Sequence, residues 1–132
     1  MCLLSRHHPL ARRERMTLDD YLGCSHVVVD VSDGRQGHID RRLEGLGRPR
    51  WASLTVPYHA TAAASVPSTA LVATLPAGLA PRLAGTITVP APPEIDPVGC
   101  SMSRHPRLDE DPPQRWLREH DPVRSGGPLL TS

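Results

Sequence analysis

Residues 51–78 read WASLTVPYHATAAASVPSTALVATLPAG, and their order decides the fold. Trp51 to Val56 reads as a strand, and Pro57 stops it because proline has no N–H to give to a ladder. His59 to Val66 is rich in alanine, suits a closely packed helix, and ends at Pro67. Leu71 to Leu75 is the next short apolar strand, and Pro76 is well placed in the first turn of a following helix. Strand, helix and strand joined by a few residues predict an α/β fold with a largely parallel sheet.

The same alternation extends both ways. Upstream, Thr17 is a plausible helix N-cap, with Asp19 and Asp20 in a first turn that favours negative charge, and the helix ends near Gly23. His26 to Val31 holds three consecutive valines, the pattern of a parallel strand buried on both faces, and Ser32-Asp33-Gly34 turns the chain. From Gly37 to Leu46 the apolar Ile39, Leu43 and Leu46 share one helical face, and Gly47 stands where a C-terminal glycine is expected. Downstream, Ala77 to Leu83 contains Pro81 and should form only a short or distorted helix. Thr86 to Val89 is a strand, residues 90–97 form a stiff proline-rich connection, and Val98 to Ser103 is expected as a last strand. Asp111-Pro112-Pro113 opens a final helix through about His120, and residues 121–132 read as a disordered tail.

Composition bounds the function. A chain of 132 residues has room for one domain, but it has no Phe, two Trp, two Tyr and 15 Pro, so the core is expected to be marginal. Its 15 basic residues are all Arg, a usage that suits a GC-rich bacterial genome, and the net charge is +1. Such balance argues against a polyanion-binding face. His7-His8 with Arg12, Arg13 and Arg15 is interrupted by Glu14 and reads as a solvated entry to a helix. Cys2, Cys24 and Cys100 have no short spacing and suggest a reducing compartment. Without a signal peptide or an apolar run near the roughly 20 residues of a membrane span, the expected location is cytoplasmic.

Four ordered fragments carry a family resemblance: Arg6-His7-His8-Pro9-Leu10-Ala11; Thr17 through Tyr21-Leu22; Leu71 through Leu75-Pro76; and His105-Pro106-Arg107 with Arg115-Trp116-Leu117-Arg118. Together they resemble the effector-binding domain of LysR-type transcriptional regulators, over nearly the whole chain. Two departures are Arg104, where many relatives have Trp before the His-Pro pair, and Val66-Pro67-Ser68-Thr69 in place of a small turn-forming segment. The resemblance implies a two-lobed fold of the type 2 periplasmic-binding-protein kind, with residues 1–120 a partial effector domain. By that comparison residues 17–89 form a largely complete second lobe, and 98–120 return to a first lobe that is mostly missing. The implied function is effector sensing without a helix-turn-helix, and hence without direct DNA binding by this chain.

Effectors of that family sit between lobes, and ligands of open α/β sheets gather outside the carboxyl ends of strands, where helix starts favour anions. Ser32, Asp33 and Gly34, Tyr58 and His59, and Pro76 and Ala77 meet this description and are the expected effector-binding residues for a small, anionic molecule. Ser32-Asp33-Gly34 reads equally well as a turn with an Asp cap. No cofactor, metal site or catalytic residue is expected: there is no Gly-x-Ser-x-Gly elbow, and adjacent His7 and His8 cannot share a helical face. The rival readings are a solute-binding protein fragment, and a truncated or mis-started remnant that associates with an intact regulator through its effector domain.

Overall fold

The computed structural model describes residues 1–30, 37–95, 106–108 and 110–120. The chain divides into two compact units, Met1–Val98 and Gly99–Ser132. The expected strand at 98–103, the tail at 121–132 and the segment Ser32-Asp33-Gly34 lie outside the described residues.

In the first unit, five strands form one sheet in the order β3-β2-β4-β1-β5: β1 (Cys2–Ser5), β2 (Ser25–Val29), β3 (Ala52–Val56), β4 (Leu71–Thr74) and β5 (Thr86–Val89). β2 runs parallel to β3 and to β4, whereas β1 is antiparallel to both β4 and β5. The sheet is therefore mixed, which corrects the expectation of a largely parallel one. The sequence offers β1 only as a short apolar run, because all four of its residues are buried and no alternation marks a face.

Three helices cover the sheet. α1 (Leu18–Leu22) starts as expected at Thr17, whose hydroxyl accepts the Asp20 N–H at 3.1 Å. α2 (His38–Gly45) joins β2 to β3, and α3 (His59–Ala64) joins β3 back past β2 to β4. Right-handed crossovers that run in opposite directions put their helices on opposite faces. Leu43 of α2 and Tyr21 of α1 accordingly pack with Cys2, Leu4, Val72 and Val89. Ala62 and Ala63 of α3 pack with Leu3, Val27, Val56 and Ala73 on the other face. Small alanines let α3 lie close to the strands, and the Ser65 hydroxyl then donates to the Thr61 and Ala62 carbonyls at its end.

The segment after β4 is, as Pro81 foretold, no more than a 3-10 turn at Ala77–Leu79. The described part of the proline-rich connection packs back on the α1–α2 face, with Pro92 and Ile95 buried and Met16 N–H bonded to the Pro90 carbonyl at 3.1 Å. β3 is an edge strand, exposed at four of its five positions. In the second unit, Pro106–Leu108 is a 3-10 turn and α4 spans Pro112–Glu119, with Trp116 stacked on His120 at 4.5 Å between centroids.

α2 ends in a two-bond motif: Gly47 N–H reaches the Glu44 carbonyl at 2.8 Å and Arg48 N–H the Leu43 carbonyl at 2.9 Å, with Gly47 at φ 69°. A side chain at that φ is strained whatever the space around it. Gly47→Ala is expected to cost about 1 kcal/mol in urea unfolding. Gly45→Ala, inside α2 with no atom within 4 Å of an added Cβ, should instead stabilise by up to about 1 kcal/mol.

Candidate functional site: the carboxyl edge of the sheet

Because β2, β3 and β4 are mutually parallel, their carboxyl ends open on one edge. Asp30 follows β2, its N–H bonded to the Val56 carbonyl at 2.9 Å. Tyr58 and His59 follow β3. Tyr58 is extended at φ −130° and ψ 142°, its carbonyl accepts the Ala62 N–H at 3.1 Å, and its ring is 69% exposed. Pro76 and Ala77 follow β4, where the Leu75 N–H bonds the Met1 carbonyl at 2.9 Å and the Leu79 N–H the Pro76 carbonyl at 2.9 Å. Two strand spacings separate β3 from β4, so these loops stand about 10 Å apart. Four of the seven expected site residues therefore share one edge, and the other three follow β2 in sequence.

From this edge a groove of about 590 Å³ runs along β1 and β5 on the α3 side of the sheet. Leu3, Thr86 and Thr88 line its floor, Ala77, Pro81 and Leu83 line its wall, and Arg82 is the charged side chain of the lining. Nothing in the sequence singles out Arg82, which is one arginine among 15.

Under the other face lies a buried polar chain that sequence reasoning missed. The Arg50 guanidinium, its side chain 5% exposed, donates to both Asp40 carboxylate oxygens at 2.6 and 3.1 Å and to the Tyr21 hydroxyl at 2.7 Å. The Tyr21 hydroxyl meets Thr74 Oγ1 at 2.8 Å. Behind it, fully buried His26 places Nε2 2.7 Å from the Tyr21 carbonyl and its ring 4.3 Å from the Tyr21 ring, while Nδ1 has no partner.

Burial sets the ionisation of this region. It drives His26 down to about 4, so the ring is neutral, and the nearby Arg50 charge acts in the same direction. Burial raises Tyr21 to about 12 and Cys2 to about 11, and it also raises Cys24, where Asp20 adds to the effect. For Arg50, burial opposes the charge but the bonds to Asp40 and Tyr21 more than offset it, and the guanidinium is raised. The two described thiols are thus protonated and poor nucleophiles at neutral pH. Among the described residues no three His, Cys, Asp or Glu side chains converge to hold a metal.

Residues 1–120 match the family described as the LysR substrate binding domain. The chain belongs to that family. This LysR-type domain is 30% identical over 122 residues to the HTH-type transcriptional activator NagR of Ralstonia sp, covering 90% of this chain and 40% of NagR. It is 31% identical over 121 residues to the HTH-type transcriptional regulator SyrM of Rhizobium meliloti (strain 1021), covering 89% of this chain and 37% of SyrM. Among solved structures, the regulatory domain of MexT, a transcriptional activator in Pseudomonas aeruginosa, superimposes with a TM-score of 0.61 at 26% identity, covering 89% of this chain and 57% of that one. The domain has the periplasmic-binding-protein-like fold and covers part of it. It spans about two fifths of the length of NagR and SyrM. No helix among the described residues is long and apolar enough to cross a membrane.

Proposed function

We propose that this LysR substrate-binding domain is the effector-sensing part of a transcriptional regulator and receives a small organic anion at the carboxyl edge of β2, β3 and β4. The observation that carries this reading is the alignment of those three strand ends, with the exposed Tyr58 ring on one loop, Pro76 and Ala77 on another, and a groove containing Arg82 alongside. Ligands of open α/β sheets bind outside such ends. Tyr58 offers an apolar face to the carbon skeleton of the effector, and Arg82, on the far side of the sheet beside β5, adds positive charge at longer range. DNA contact belongs to the regulator as a whole, since a chain of net charge +1 has no excess of cations for a duplex.

The test is thermal unfolding in the presence of benzoate and of small mono- and dicarboxylates. A ligand at a hundred times its Kd stabilises the folded state by about 2.7 kcal/mol, an easily measured rise in Tm. Tyr58→Ala should weaken that ligand about tenfold while leaving the unliganded Tm unchanged, because the ring is mostly in solvent. A panel without any stabilising anion, or a Tyr58→Ala protein that binds as well as wild type, would sink the reading.

A further inference from the structure

The buried polar chain joins two segments that border the carboxyl edge. Asp40 lies in the first turn of α2, the helix that leads away from the segment after β2, and Thr74 is the last residue of β4, directly before Leu75, Pro76 and Ala77. Tyr21 stands between them. Its hydroxyl has two partners: it accepts from the Arg50 guanidinium, which only donates, and it shares a hydrogen bond with Thr74 Oγ1 in which either oxygen can be the donor. Asp40, Arg50, Tyr21 and Thr74 form one connected chain of hydrogen bonds, with Cys2 Sγ 3.9 Å beyond Thr74.

Tyr21 cannot easily turn away from either partner. It is fully buried, its ring rests against His26, and the His26 Nε2–H donates to its backbone carbonyl. We infer that the Tyr21 hydroxyl is a positioning group, which holds the start of α2 and the end of β4 in fixed relation beneath the carboxyl edge. This rests on the assignment of that edge as the effector site. Tyr21 does not touch the effector: it acts through Thr74 on one side and through Arg50 and Asp40 on the other.

Amide hydrogen exchange of the whole chain, without ligand, tests it. Two reporters lie at the ends of the chain of bonds: the Arg41 N–H, bonded to the Gly37 carbonyl, and the Leu75 N–H, bonded to the Met1 carbonyl. Two references lie off it: the Asp30 N–H on the Val56 carbonyl and the Ala62 N–H on the Tyr58 carbonyl. Tyr21→Phe keeps the ring and removes only the hydroxyl. Exchange at Arg41 and Leu75 should rise together by about fivefold, the worth of one net hydrogen bond, with Asp30 and Ala62 unchanged. Thr74→Val should reproduce the effect at Leu75, and Thr74→Ser should restore wild-type exchange. A uniform rise at all four amides would show a stability role alone and overturn the inference, as would no rise at the two reporters. The two failures separate: local loosening with no anion bound anywhere keeps the link and removes the site it serves.

Discussion

Replacing Arg50 by Met should destabilise the first unit by about 3 kcal/mol in denaturant unfolding, out of a total that for domains of this kind is about 5–15 kcal/mol. The reason is what remains behind. Asp40 keeps a carboxylate that is only 25% exposed and loses both of its Arg50 bonds, while the Tyr21 hydroxyl loses a donor. Removing one partner of a buried pair costs about 3–5 kcal/mol, and the partial exposure of Asp40 places this case at the lower end. The pair itself is worth far less than that, because bringing both charges out of water is costly. Arg50→Met combined with Asp40→Leu should therefore recover most of the loss. A double variant as unstable as the single one would mean that the Arg50 stem, and not its charge, holds the site.

Acid should weaken the fold well above the pH at which carboxylates titrate. His26 is neutral in the folded protein down to about 4, whereas the free side chain takes its proton near 6.5. Between these values the unfolded chain binds a proton that the folded one refuses, so stability is fully present above pH 6.5 and falls as the pH drops toward 4. The loss approaches about 3 kcal/mol. His8, also lowered by its burial, acts in the same direction. Arg50 and Asp40 face the ring and oppose one another, the first disfavouring the imidazolium and the second favouring it. His26→Gln keeps an N–H donor and cannot titrate, so its urea midpoint should vary much less between pH 6.5 and 4. A variant profile as steep as that of wild type would assign the acid sensitivity elsewhere.

Much of the fold is legible because prolines and glycines punctuate it. Pro57, Pro67 and Pro76 bound β3, α3 and β4, the three-valine run marks β2, and Gly47 closes α2. β1 is not legible. Its pairings join the chain start to residues 73–74 and 86–89, and four uniformly buried residues carry no period. Trp51, just before the edge strand β3, is 74% exposed, and nothing local in the sequence marks it as a surface residue.

The site divides in the same way. Tyr58, His59, Pro76 and Ala77 are proposed from the positions of strand ends, which local patterns reveal. The chain beneath them links residues 10, 29 and 53 positions apart, and no local pattern reports such pairs. Tyr21 and Thr74 stood out in the sequence only as parts of two separate family motifs, and their partner Arg50 did not stand out. Only the sheet order brings them together.

The most direct test of the central claim is to map, by two-dimensional amide NMR, where a stabilising carboxylate perturbs this domain. The account predicts shifts concentrated at Asp30, Tyr58, His59 and Ala77, on the edge where β2, β3 and β4 end. Shifts concentrated instead at Ser25, Ala52 and Leu71, where the same three strands begin, would contradict it.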